Sequence, residues 1–504
     1  MINAESPWTR EHRRIVDQRE LIMPPSWVAK EELAPTGERE VTDFVWTSGA
    51  DREAATRVVD LLAQARSKAV VCSFLLADRQ VEDAMLEAAG RGVRVYVMLA
   101  SENRLESEPG DGEFDRRVYE AHKAMLAHLG GRVLFRTSPN FHAKCVLVDP
   151  EDAPAGLLLT ANLTSEALER NEELAVALSG DEVREAAALM RWGMWEAAEH
   201  ELRDGRDFRA VKPLGCVAHP ESGEQVFATT SKTTRLLDEA FEVIDSANEE
   251  LVVASFGWDA EHLLTEYLVE RARGGLKVTV LARMRPKSMP ALKALADAGA
   301  EVLGFRWLHA KALWADSGGG LVMSANLEPH GLDEGFELGV SLAGERAEAL
   351  QARLAHWAHR SRWKLLPRPK LGELAGKVRV WRDKTFTELM IKERLLHDLG
   401  VVEAPSADKL DIAPRLPEAN YVERPAHEIE YGWQAKAPVL DRKAKQVSKQ
   451  GAKGKAVHYD PPVYKEPEGR RVVAVRLPEQ LAAAGGVSEA VGASAIVLAR
   501  GVLL

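Results

Sequence analysis

Cysteine is scarce: the chain of 504 residues carries three, at Cys72, Cys145 and Cys216, far apart in sequence. That excludes a disulfide framework and any cysteine-built zinc site. Cys72 and Cys145 fall in apolar, strand-like runs and are expected to behave as small buried hydrophobes. Long apolar runs are missing as well. No stretch approaches the roughly 20 residues of a membrane span, and the opening MINAESPWTREHRR has no apolar leader core. The expectation is a cytoplasmic protein with no membrane span. Excess positive charge is also absent. Lys and Arg number 66 against 77 Asp and Glu, a net charge of −11. Such a balance is awkward for a nucleic-acid binder, because phosphate contacts supply most nonspecific affinity. Positive surface would have to be segregated into a cleft or a tail. The apolar fraction of 46% supports ordinary packed cores.

What the chain has twice is the string His-x-Lys-x-x-x-x-Asp. The first copy runs from His142 through Lys144 to Asp149, followed by Thr160-Ala161-Asn162-Leu163 and then Glu173. The second runs from His309 through Lys311 to Asp316, followed by Ser324-Ala325-Asn326-Leu327 and then Glu337. The interval from Asn162 to Glu173 equals that from Asn326 to Glu337. Upstream, TRVVDLLAQARSKAVVCSF and TRLLDEAFEVIDSANEELVVASF each read as an amphipathic helix entering an apolar strand that ends Ser73-Phe74 or Ser255-Phe256. A second helix and strand follow, with Gly at the turn between them. A third helix, around 117–129 and 290–298, leads to the strand before each His. Strands alternating with helices at this pitch predict a duplicated α/β domain with mainly parallel sheets flanked by helices. The copies differ chiefly in an acidic insertion, residues 102–115, in the first.

The doublet, the Asn after each small-residue turn and the trailing Glu resemble the phospholipase D superfamily, whose mark is two His-Lys-Asp motifs. The resemblance covers roughly residues 45–365. It implies two repeats packed about a pseudo-two-fold axis, with both motifs meeting in one cleft, so that a single chain completes one site. One departure is visible: Asn171, two residues before Glu173, aligns with Gly335.

The residue types suit phosphodiester cleavage. Lys144 and Lys311 supply point charges for the phosphate oxygens, and Asn162 and Asn326 supply amide N–H groups. An imidazole with a pKa near about 6.5 serves as nucleophile, acid or base. One His attacks phosphorus to give a phosphohistidine, while the other protonates the leaving oxygen and then activates water. The resemblance puts His142 in the nucleophile role and His309 in that of general acid. Glu173 and Glu337 are expected to accept from the far ring nitrogens. The His-x-Lys spacing fits a strand, where residues two apart share a face. Asp149 and Asp316 are expected to hold turns. Thr160 and Ser324 are weaker candidates for phosphate contact, and more often satisfy a turn. Trp307, Phe141 and Trp258 could stack on a base, with core packing at least as common for each. His219 and His330 are given no role. The scheme requires no metal and no cofactor.

Four segments are expected: an N-terminal extension over 1–44, repeats over 45–205 and 206–367, and a C-terminal extension over 368–504. Residues 186–204 and 343–364 read as helices that close the repeats. In the extension, the strand-like KVRVW and a helix around 384–399 precede a basic stretch, 436–455, with seven cations against Asp441. That stretch is a flexible linker, or, in the sharper reading, a tether for nucleic acid. The leading functional expectation is a metal-independent nuclease acting on DNA or RNA, of the kind found in phage defence or DNA repair. A helicase or ATPase partner is expected to bind through the C-terminal extension. The alternatives are a phospholipase D or transphosphatidylase, and a scaffold subunit with a silent site.

Overall fold

In the computed structural model of the chain, residues 22–30, 44–49, 51–101, 116–202, 207–221, 223–382 and 384–391 are described, with short strands at 14–15, 421–425, 446–448, 458–459, 471–475 and 495–496. They divide into two compact units, Glu32–Arg362 and a second that joins Met1–Glu31 to Trp363–Leu504. The insertion 102–115 lies outside the described residues, as does the basic stretch 436–455 apart from the strand Gln446–Ser448.

The larger unit holds both copies of the motif. In the first half, β1 (Val45–Thr47) leads to α1 (Glu53–Gln64), which buries Ala54, Ala55, Val58, Leu61 and Leu62 on one face. Strand β2 (Lys68–Cys72) follows, then α2 (Arg79–Gly90), whose first turn is capped by Asp78 accepting from the Gln80 and Val81 amides. Gly92, at φ 91°, turns the chain into β3 (Arg94–Ala100), a left-handed conformation that disfavours any side chain. After α3 (Arg116–Leu129) come β4 (Leu134–Ser138), β5 (Cys145–Val148), β6 (Ala155–Leu159) and β7 (Leu174–Leu178). Helix α4 (Gly180–Trp192) and strands β8 (His200–Leu202) and β9 (Phe208–Ala210) close the half.

The second half repeats the plan. It runs β10 (Val226–Thr229), α5 (Arg235–Ser246), β11 (Glu250–Ser255), α6 (Leu263–Arg273) and β12 (Lys277–Arg283). Then come α7 (Met289–Asp297), β13 (Glu301–Phe305), β14 (Ala312–Ala315), β15 (Gly319–Met323), β16 (Glu337–Ala343) and α8 (Glu345–Arg360).

The α/β class is as expected, with large sheets flanked by helices, but the sheets are mixed rather than mainly parallel. The first sheet is ordered β9-β8-β4-β3-β2-β5-β6-β7-β1, and only β2–β3 and β3–β4 pair parallel. In the second half the order is β10-β16-β15-β14-β11-β12-β13, parallel only at β11–β12 and β12–β13. The reason is connection length. Strands joined through a helix return parallel, whereas the motif strands β5 and β14 are joined to β6 and β15 by short turns that permit only antiparallel return.

Helices α1 to α3 cover the outer face of the first sheet through Val58, Leu62, Met85 and Leu126. The inner faces of both sheets share one core, in which Cys72, Met98, Cys145 and Leu158 meet Ala254, Leu281, Ala312 and Val322. Leu189 of α4 and Leu350 of α8 belong to the same core. Cys72 and Cys145, free and buried, are cross-strand partners on β2 and β5.

The smaller unit is described by itself. Its strand Ser26–Ala29 pairs antiparallel with Trp363–Leu366 and with Gly376–Arg382, burying Trp27, Leu365, Val378 and Val380. The helix expected around 384–399 is absent from the described part. Thr385–Ile391 is instead a strand antiparallel to Gly376–Arg382, reached through Lys384 at φ 65°. The β-branched Thr385 and Thr387 and the aromatic Phe386 suit a pleated surface.

Asp149 and Asp316 do not reach the motif site. The Asp149 carboxylate accepts from the amides of Arg66, Ser67 and Lys68 and from the Ser67 hydroxyl, at 2.8–2.9 Å. Asp316 does the same for Asn248 and Glu249. Each ties the turn after the first helix of its half to the end of a motif strand. Burial would raise the Asp149 pKa, but the Lys68, Ser67 and Arg66 hydrogen bonds outweigh it and hold the carboxyl below its ordinary range. Stability from this group is therefore present above the ordinary carboxylate pKa and lost as pH falls through the lower folded value. Asp149→Asn, which tolerates the φ of 43°, is expected to lower the unfolding free energy by about 1–3 kcal/mol at neutral pH. Urea unfolding should show that gap closing in acid; a gap independent of pH would refute the account.

Candidate active site

The site is built where the halves cross. Just ahead of β5 and β14 the chain is extended but leaves its own sheet, so the His-x-Lys segments are not within strands as expected. Phe141 bridges Phe336, and Leu308 bridges Glu172, each in parallel register. The His142 amide donates to Phe336 O at 2.9 Å, and the His309 amide to Glu172 O at 3.0 Å. Each histidine is thereby set beside the other half's glutamate. His142 Nδ1 lies 2.7 Å from Glu337 Oε1, and His309 Nδ1 lies 2.7 Å from Glu173 Oε1.

Thr160 and Ser324 stand behind these carboxylates rather than in front of a phosphate. The Thr160 hydroxyl donates to Glu173 Oε2 at 2.6 Å and accepts from the Leu174 amide at 2.9 Å. Ser324 donates to Glu337 and accepts from the Leu338 amide. Both residues are fully buried, so their hydroxyls fix the carboxylates that fix the imidazoles. Asn171 adds a 3.4 Å contact to Glu173 Oε1. Its counterpart Gly335 is dictated by space, since a Cβ there would meet the His330 carbonyl at 2.8 Å.

Lys144 and Lys311 are both fully buried. Their ammonium groups donate to the carbonyls of His142 at 2.5 Å and of His309 at 2.6 Å. Lys311 Nζ also lies 2.9 Å from His309 Nδ1. Burial pushes the Lys311 pKa down to about 8, against the lifting effect of Glu173, Glu337 and Glu328. His309 is pushed down to about 4 by burial and by the charges of Lys311 and Lys144, which together outweigh Glu173. These influences favour the neutral ring. Burial alone would raise Glu173, yet His309, Lys311 and Thr160 hold it ionised, at about 2. The influence of Lys144 on His309, and of Glu337 on Lys311, shows that both motifs contribute to one cluster.

Asn162 and Asn326 follow the turns into the same region. In each, Oδ1 is buried without a hydrogen-bond partner, and Asn326 Nδ2 lies 3.2 Å from Glu328. An orphaned buried amide is costly unless a ligand completes it. Amide O and N can be interchanged, so such a group can present an N–H to a phosphate oxygen.

The motif pattern missed the support around it. Phe74 stands edge-on to His142 at 5.3 Å between ring centroids, and Phe256 to His309 at 4.7 Å. Ser73 and Ser255 accept from the amides of Leu163 and Leu327, pinning each Asn-Leu segment to the strand end. The recurrence of Ser-Phe at both strand ends was the signal. Phe141 and Trp258 are core residues, buried at 0% and 2% exposure. Trp307 is ringed by arginines, with Arg170 4.0 Å from its centroid. His219 packs edge-on against Trp192, and His330 is exposed.

With this geometry in hand, the likenesses to known proteins take on meaning. Residues 58–195 match the family described as cardiolipin synthase, PLD-like domain. Over that segment the chain resembles the phospholipase D superfamily. The phospholipase D-type match covers the first motif, and the second repeats its geometry. No curated protein matches the chain in sequence. Among solved structures, a phospholipase D family member, Nuc from Salmonella typhimurium, is similar at 20% identity, covering 32% of this chain and 97% of that one, with a TM-score of 0.25. NucT from Helicobacter pylori is similar at 14% identity over 31% of this chain and 95% of that one, with a TM-score of 0.24. Phosphatidylserine synthase from Haemophilus influenzae Rd KW20 is similar at 10% identity over 69% of this chain and 90% of that one, with a TM-score of 0.45. Among the described residues, no helix is long and apolar enough to cross a membrane.

Removing the Glu173 charge has a signed consequence. Glu173 lifts the Lys311 pKa, so Glu173→Gln should move the alkaline limb of kcat/KM, expected near pH 8 from Lys311, to lower pH. The rate should also fall by about 10–100-fold, as for lost orienting groups elsewhere. An unmoved limb would remove Lys311 as its source.

Proposed function

We propose that this phosphodiesterase is a metal-independent nuclease, cleaving DNA or RNA through a phosphohistidine. The observation that carries the chemistry is the crossed pair of imidazoles, each held by the opposite half's carboxylate, with two buried lysines beside them. Nδ1–H of His142 is committed to Glu337, which leaves the lone pair on Nε2. That nitrogen bonds to phosphorus while the bond to the leaving oxygen breaks, and Glu337 stabilises the charge gained by the ring. The leaving oxygen takes a proton from His309. Water then attacks phosphorus, its proton passes to His309, and the P–N bond breaks to release the phosphate ester.

Burial and the two lysine charges disfavour the His309 imidazolium, so its acid role needs a proton acquired with substrate. A phosphate anion between Lys144 and Lys311 cancels the positive field that depresses the ring, and raises its proton affinity. The lysines and the asparagine amides fill the charge-neutralising role that a metal takes in other hydrolases. A polyanionic substrate is supported by the arginines beside His309, in a chain whose net charge is −11. We place this activity in the cytoplasm, with a nucleic-acid-processing partner such as a helicase acting on the smaller unit.

The purified chain in EDTA should cleave labelled single- or double-stranded DNA or RNA. Cleavage of phosphatidylcholine or phosphatidylglycerol, but of no polynucleotide, would overturn the reading, as would a loss on chelation restored by Mg²⁺ or Mn²⁺.

The roles of the histidines separate with a substrate whose leaving group needs no proton. His309→Ala should still form an adduct on His142, and His142→Ala should form none. The reverse result exchanges the two roles.

A further inference from the structure

The residues that face the scissile phosphate come in matched pairs, but their neighbours do not. Around the ring of Trp307, two positions before His309, stand the guanidinium groups of Arg170 at 4.0 Å from the centroid, Arg306 at 4.9 Å and Arg283 at 5.0 Å. Arg285 and Arg283 lie over Phe256 at 4.0 and 5.3 Å. Phe256 in turn packs on His309, with Lys311 Nζ 5.9 Å from the same ring. A row of cations thus leads from the buried lysine to Arg170 and Arg306, which are exposed, while Arg283 is buried at 4% exposure. Both halves build it, because Arg170 comes from the first. The acidic groups nearby are Glu172, which acts on Arg283, and Glu328, 4.0 Å from Lys287.

The strand registers identify the counterparts on the other side. Met98 pairs with Cys72 as Leu281 pairs with Ala254, which sets Arg283 against Ala100. The crossing bridges set Trp307 against Asn140, Arg306 against Pro139 and Arg170 against Glu334. Among the described residues, the counterparts of Arg170, Arg283 and Arg306 carry no positive charge. The duplicated octet cannot tell the two ends of a diester apart; this row can. The aromatic faces are occupied by guanidinium groups, so Trp307 is not a platform for a base. It holds arginines in place, and a fixed guanidinium fork matches a phosphate.

The geometry points to a second phosphate site on the His309 side, formed by Arg170, Arg283, Arg285 and Arg306. It takes the phosphate next along from the scissile diester, which makes the substrate class a chain of phosphates and sets its direction across the site. This rests on the phosphodiesterase reading above.

The test uses the full chain and thymidine oligomers. TpT has one phosphate, TpTpT has two internal ones, and pTpT and TpTp each add a terminal one. The second phosphate should raise kcat/KM by about tenfold, the worth of one charge-assisted contact. The Arg170→Gln/Arg306→Gln variant, altered only at exposed positions, should lose most of that ratio. Gain with TpTpT alone identifies an internal diester as the ligand, and gain with pTpT or TpTp as well identifies the phosphate group itself. No gain, or a gain that survives in the variant, overturns the site. If the chain cleaves none of these, the nuclease reading fails separately. The second phosphate site is then decided by whether His142→Ala protein binds TpTpT about tenfold more tightly than TpT, and whether the arginine variants remove that difference.

Discussion

The crossing of two short extended segments is the constraint on which the site depends. Phe141 pairs with Phe336 and Leu308 with Glu172, and these backbone bridges fix where the next residue on each strand can go. A side chain one position on from each bridge must point towards the opposite motif. Glu337 therefore meets His142, and Glu173 meets His309. Neither half alone can orient its own imidazole. The shared apolar core behind the bridges, drawn from both sheets, supplies the burial that keeps the crossing closed.

That closure carries an electrostatic burden. Two ammonium groups and two carboxylates are buried together, and removing one partner of such a set leaves an uncompensated charge that costs about 3–5 kcal/mol. The set is tolerated because each charge is matched across the crossing and hydrogen-bonded by Thr160, Ser324 or a backbone carbonyl. The same burial strips the proton from His309 and weakens the hold of Lys311 on its own. A site so arranged is poised for an anion, which restores what burial has removed. Stability and chemistry draw on one field here. The arginine row beside His309 extends that field outward on its own side.

Much of this was legible in the sequence. The equal interval from Asn to Glu in both copies marked the octet, and its histidines, lysines and glutamates lie in one cluster. The helix and strand order also followed from periodicity, because helix faces such as that of α1 must bury their apolar stripe. Asp149 and Asp316, expected to hold turns, accept from turn amides. Other features were out of reach. The parallel expectation failed beyond the strand triplets because pairing direction depends on connection length as well as on strand identity. Thr385–Ile391 was misread as helical because seven residues of hairpin partner outweigh a local helical pattern.

Residue type and spacing by themselves determined that two His-Lys-Asn-Glu sets exist, and so the class of chemistry proposed. Only the tertiary structure decided which glutamate serves which histidine, that Thr160 and Ser324 stand behind the carboxylates, and that Trp307 is wrapped in arginine rather than open to a base. The physical reason is distance along the chain. Hydrogen bonds within a strand or turn are written in neighbouring residues, whereas His142 and Glu337 are 195 positions apart. Their meeting is fixed by how two sheets pack, and no local pattern of residues encodes it.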